Sequence, residues 1–214
     1  MVAVMKKILS TLCLSVALAL VVSSSAMAAG NKVAMILDAP VGMFSEPEKV
    51  YAAVETSFNT IVGNASRYEI VSTKDTESYV QIYREENDMI ETVNNDGYSG
   101  NSTQEGYLKK SDIDKICQHF ESDYVIYIRV ATAMPRMAVG WFDNSQKINV
   151  TLDYRVWSNA KKDFSYTKRT TNTGKSTAIY AGFGSSARAV DKGIKKGLEE
   201  VEKEAVKVKA ALSE

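Results

Sequence analysis

Residues 123–132, DYVIYIRVAT, carry a clean two-residue alternation of side chains. On a pleated strand Ile126, Ile128 and Val130 share one side, and Val125, Tyr127 and Arg129 share the other. The all-aliphatic side must be covered, whereas a side carrying Arg129 can meet water. This stretch therefore predicts an inner strand of a sheet with helices packed on one side.

The remaining pattern supplies its neighbours and covers. An apolar run at 33–38 is broken by Pro40 and Gly42 and predicts a first strand. The string SEPE at 45–48 is a helix start, with Ser45 as cap, Pro47 in the first turn and Glu48 reaching back. Val50, Val54, Phe58 and Ile61 then form one stripe, which Gly63 and Asn64 end. Residues 68–72 predict a second strand. A second helix begins at Asp75 or Thr76, with Tyr79, Ile82, Tyr83, Met89 and Ile90 as its inward positions. Residues 94–106 collapse into Asn, Asp, Gly, Ser and Thr without period, which predicts a loop. Ser111 and Asp114 mark a third helix whose inward residues are Ile113, Ile116, Cys117 and Phe120.

After the central strand, residues 134–146 read as a connection. Ile148, Val150, Leu152, Tyr154 and Val156 then alternate against Asn149, Thr151, Asp153, Arg155 and Trp157. A turn at 158–163 leads to another strand at 164–170, giving an antiparallel meander. The last helix repeats Val190, Ile194, Leu198, Val201, Ala205, Val208 and Leu212 at helical spacing. Gly193 and Gly197 lie beside that stripe, where each costs about 0.5–1 kcal/mol against Ala, so they predict a close helix–sheet crossing. The order β-α-β-α-α-β-β-β-α is that of an α/β single-domain sandwich with a mixed sheet, spanning residues 29–214.

The first 28 residues are an address. Lys6 and Lys7 precede an apolar core at 8–22, and Ala26 and Ala28 form a small-residue cleavage site. The core is about 15 residues long, short of the roughly 20 that span a bilayer. Leu12 before Cys13 does not suit lipid attachment. Residues 1–28 therefore predict a cleaved export signal, placing the mature chain in the periplasm or outside the cell with no transmembrane anchor. Cleavage removes two lysines and no acid, leaving 24 basic against 26 acidic residues. That balance argues against a nucleic-acid surface, which needs clustered Lys and Arg. Cys117 then has no partner for a disulfide and is expected to be a buried free thiol.

No stretch carries an enzyme's constellation, and no cofactor or metal is expected. The string NTGKST at 172–177 lacks the first glycine of a phosphate loop, because Arg169 stands there. Gly182, Gly184 and Ala187 resemble a dinucleotide turn, but only one helix follows them. Thr92 and Thr103 stand where a calcium loop at Asp96 needs carboxylates. His119 is the single histidine. Two surfaces suggest binding instead. Met134, Arg136, Met137, Val139, Trp141 and Phe142 crowd a connection, as a partner surface would. Tyr127, Arg129, Arg155 and Trp157 set aromatics beside arginines on the less apolar sheet face, which suits a small ligand or glycan.

Taken together, KVAMIL at 32–37, YEIV at 68–71, SDYVIY at 122–127, NVTLDYRV at 149–156 and the alanine-rich last helix resemble a periplasmic α/β module. The module is shared by the curli-export channel lipoprotein, the outer-membrane lipoprotein that activates a penicillin-binding protein, and the N-terminal domain of TolB. The resemblance covers most of residues 32–212. It implies a non-enzymatic envelope module that docks envelope proteins and brings no catalytic residues. The pattern here shows no extended hairpin of the kind a channel needs.

Overall fold

The computed structural model describes residues 31–40, 42–93, 102–139, 143–179 and 184–213. The export segment lies outside them. Strand β1 (Asn31–Asp38) leads through helix α1 (Pro47–Val62) to β2 (Tyr68–Val71) and helix α2 (Thr73–Glu86). Strands β3 (Ile90–Val93) and β4 (Ser102–Glu105) precede helix α3 (Lys110–His119). Then come β5 (Tyr124–Thr132), β6 (Arg136–Val139), β7 (Asp143–Ser158) and β8 (Asp163–Ile179), followed by helices α4 (Ser186–Glu202) and α5 (Ala205–Ala211).

The result is a mixed α/β fold around an open six-stranded sheet. β1 runs parallel to β2 on one side and to β5 on the other. β5 pairs antiparallel with β7, and β8 pairs antiparallel along the whole of β7. β6 shares the β5 side of β7, continuing its line after a break at residues 133–135. The central strand is thus β5, as its alternation predicts.

Its surroundings differ from the prediction in one respect. Ile126, Ile128 and Val130 pack with α1, α4 and α5, but Val125 and Tyr127 are buried too, under α2 and α3. Helices cover both faces at this end of the sheet. The reason is that Ala34, Ile36, Val125 and Trp157 make the second face apolar as well once β1, β5 and β7 lie side by side. That sum over three strands is invisible in β5 alone.

Several local expectations hold. Val50, Val54, Phe58 and Ile61 are buried, and Gly63 ends α1 at φ 74°. The left-handed region there favours glycine. The terminal stripe packs on the core as one line, buried except at half-buried Ala205, although the helix breaks at Lys203 and Glu204. Glu204 ties that break to β8, accepting from Lys168, from the Tyr166 hydroxyl at 3.2 Å and from Lys207 at 3.0 Å. The two lysines hold its carboxyl down at about 2. The glycines behave as their position suggests. A β-carbon on Gly193 would lie 2.5 Å from Val150 Cγ2, and one on Gly197 would lie 2.9 Å from Thr170 Oγ1.

Other details are corrected. Ser45 does not cap α1, whose first turn opens on Pro47 after Glu46. The Asp191 carboxylate of α4 faces the Ser45 and Glu46 N–H groups instead. Helix α2 starts at Thr73, with Ser72 accepting from the Asp75 N–H at 3.2 Å. Its buried face carries Val80, Tyr83 and Arg84, leaving Ile82 52 % exposed. The loop expected over 94–106 is corrected at its far end, where 102–105 form β4 and pair antiparallel with β3, Ile90 facing Glu105 and Val93 facing Ser102. The strand predicted at 164–170 runs on to Ile179, so β7 and β8 form a long hairpin of 16 and 17 residues. Gly, Asn and Thr at 171–177 hid that extension, because the apolar alternation stops there.

Candidate functional site

The sheet face that begins under α2 and α3 continues outward along β5, β6, β7 and β8. Its buried end is polar at one point. Asp38, the last residue of β1, accepts from the Arg84 guanidinium on one carboxylate oxygen and from the Tyr127 hydroxyl on the other. Asp38 and Arg84 are 3 % and 4 % exposed. Burial foremost, then the Asp38 charge, pushes the Tyr127 phenol up, so it stays a donor.

Tyr127 and Trp157 are therefore core residues, against the expectation that they line an open face. Tyr127 stacks near Phe164 at 6.4 Å, and Trp157 meets the same ring edge-on at 5.4 Å. The two arginines of that set remain half-exposed. Arg129 lies over the Tyr107 ring at 3.4 Å, and Arg155 over Phe164 at 5.2 Å. Between them sits Asp153, which accepts two bonds from Arg169, at 2.5 and 3.0 Å, and lies 3.7 Å from Arg155. The bidentate Arg169 holds the Asp153 carboxyl below its usual range. Three guanidinium groups thus surround one carboxylate.

Further out the same face holds a feature no sequence spacing shows. Arg136 stands opposite Lys147, and Lys147 opposite Lys175, so three cations form one row across β6, β7 and β8. All three are exposed, and none has a carboxylate partner among the described residues. With Met134, Asn149 and Thr173, the Arg136 and Lys147 side chains line a cleft of about 240 Å³. The inner neighbours of the row are hydroxyl and amide pairs. Thr173 donates to Asn149 at 2.8 Å, and Thr151 bonds Thr171 at 3.1 Å.

Strand β6 and Met134 just before it carry the other predicted surface. Met134, Met137 and Val139 are 89, 63 and 75 % exposed, and Arg136 is exposed beside them. The last rung of β1 joins Asp38 to Arg129. Past it, the outer edge of β6 has no strand partner among the described residues. Trp141 and Phe142 lie outside the described residues.

The remaining candidates resolve into structure. Residues 172–177 are extended on β8, with Gly174 opposite Ile148, so they form no phosphate loop. Ser185 caps α4 by accepting from the Arg188 N–H at 3.3 Å. His119 stacks on Tyr79 at 3.6 Å. Among the described residues no group of three metal-ligating side chains gathers, and no helix is long and apolar enough to cross a membrane. Cys117 is buried and donates to the Ser122 carbonyl at 3.0 Å, and burial pushes its thiol up to about 11. Native protein is therefore expected to resist maleimide at pH 8 and to react fully only when unfolded. Mass spectrometry with and without denaturant checks this, and rapid labelling of the native chain would contradict it.

A cleft of about 660 Å³ also opens between α1 and α4, floored by Val50, Ala53, Ile194 and Leu198 and rimmed by charges of both signs. Nothing in the alternation of either helix announces it, since Val50, Ile194 and Leu198 read as ordinary core stripe.

No family model matches the chain, and no curated protein matches it. Solved structures give distant likenesses. The hypothetical protein CT253 from Chlamydia trachomatis is 8 % identical, with 86 % of this chain and 98 % of that one covered, at a TM-score of 0.37. Lipoprotein GNA1162 from Neisseria meningitidis is 11 % identical over 83 % and 98 %, at 0.33. PelC from Paraburkholderia phytofirmans is 18 % identical over 83 % and 91 %, at 0.31. Likenesses at this level carry no conclusion about what the chain does.

Proposed function

We propose that the chain is an exported, non-enzymatic envelope protein that acts by docking another protein along β6. One observation carries the reading: a sheet edge that is apolar and, among the described residues, unpaired. Sheet edges in proteins are commonly blunted by lysine, proline or short length, because free N–H and C=O groups invite a further strand. β6 has the short length, yet Met137 and Val139 face solvent on one side of it. An extended partner segment laid against that edge would gain backbone hydrogen bonds and bury both side chains. The export address supports the compartment, and Met134, Arg136, Met137 and Val139 are the described members of the predicted partner surface.

Capture from envelope extract tests it. Wild-type protein should retain a partner, and Met137→Lys with Val139→Lys should lose it. Both positions are exposed, so folding should change by no more than about 0.5 kcal/mol each. Equal capture by the variant would reject β6 as the docking edge. An activity abolished by His119→Ala would reject the non-enzymatic part.

A further inference from the structure

We propose that the basic face of β6, β7 and β8 binds a linear acidic glycan, with Arg136, Lys147 and Lys175 holding its anionic groups. The argument begins with repulsion. Neighbouring strands lie about 4.8 Å apart, and like charges directly opposite one another are destabilising. Three such cations in one row, with no carboxylate partner among the described residues, form a site that an external anion would stabilise.

A second basic group lies on the same face. Asp153 is six residues along β7 from Lys147, roughly 20 Å away. Arg129, Arg155 and Arg169 surround it with an excess of positive charge. The Nε–H groups of Arg129 and Arg155 are buried and find no acceptor among the described residues. Two anion-seeking clusters at that separation suit an extended polymer better than a single small ion.

What lies between them selects its kind. The intervening rows are Asn149 with Thr173 and Thr151 with Thr171, already paired as donors and acceptors. Exposed hydroxyls and an amide on paired strands match the hydroxyl-rich face of a sugar. Nucleic acid is disfavoured because single-strand binding uses aromatic platforms for the bases, and these rows contain none. Arg136 and Lys147 point to this face, while Met137 and Val139 belong to the opposite one, so the glycan and the apolar contacts of a docked strand use different sides of β6, with Arg136 common to both surfaces.

Titration calorimetry on the mature chain tests the assignment with four probes: polygalacturonate, heparin, dextran and single-stranded oligothymidylate. Either acidic glycan should bind, more weakly at raised salt, and dextran should not. Lys147→Thr with Lys175→Thr should weaken binding about tenfold or more, as expected when two charge contacts are lost. The same variant should melt no lower than wild type, because repulsion in the row is relieved. Thr151→Val with Thr171→Val should weaken the glycan severalfold and leave any oligothymidylate binding unchanged. No binding of either acidic glycan would overturn the proposal, as would unchanged affinity in the lysine variant. Oligothymidylate bound as tightly as the glycans would also overturn it.

Discussion

Arg84→Ala should lower the unfolding free energy by about 3–5 kcal/mol, among the largest losses expected from one substitution in this chain. Arg84 and Asp38 are both almost fully buried, so removing the guanidinium strands a carboxylate away from water. Tyr127 still donates to Asp38, but one neutral donor cannot replace a cation. The sign of a second experiment separates charge from packing. Asp38→Asn combined with Arg84→Met removes both charges and retains volume, and should regain most of the loss. Denaturant unfolding of the two variants measures both. Arg84→Ala within 1 kcal/mol of wild type would show that water reaches Asp38 and that the pair is not a buried one.

The second large effect is steric. A β-carbon on Gly174 would lie 1.7 Å from the Ala189 carbonyl oxygen and 2.7 Å from its carbon. That obstacle is the backbone of α4, which no rotamer change can clear. Gly174→Ala should therefore lift the helix from β8 and cost about 2 kcal/mol or more. This is the net of an overpacking penalty and the smaller gain from replacing glycine in a strand. Gly193→Ala differs because its obstacle is the Val150 side chain, at 2.5 Å. Adding Val150→Ala should relieve the Gly193 variant, whereas Ala189→Gly should not relieve the Gly174 variant, since the carbonyl remains. Thermal unfolding across the two pairs reads this directly. Rescue of Gly174→Ala by Ala189→Gly would show that side chains set the spacing.

These two predictions draw on different depths of legibility. The close crossing of the last helix could be anticipated, because Gly193 and Gly197 lie beside a regular apolar stripe. Gly174 could not, since nothing near it marks a strand and its neighbours resemble a broken phosphate loop. The Asp38–Arg84 pair was hidden in another way. Ile82 and Tyr79 offered α2 an apolar face, yet the ion pair and Val80 turn the helix so that Ile82 meets solvent.

The candidate surfaces divide along the same line. Met134, Met137 and Val139 stood out in sequence as apolar residues in an apparent connection, and the structure leaves them exposed on an edge. Tyr127 and Trp157 misled because alternation tells which residues share a face, not what covers it. The cation row had no sequence signal at all. Arg136, Lys147 and Lys175 are scattered until the pairing of β6, β7 and β8 fixes their register.

Contiguous periodicity by itself determined the central strand, the alternating β7, the stripes of α1 and α4, and the Gly63 stop. Each depends on residues a few positions apart, whose geometry the backbone imposes locally. Tertiary structure alone decided that both sheet faces are covered at one end, that α2 turns Arg84 inward, and that three distant cations meet in one row. Those outcomes are set by which strands become neighbours and in what register. That choice is made by the burial of whole faces, a sum over segments far apart in the chain.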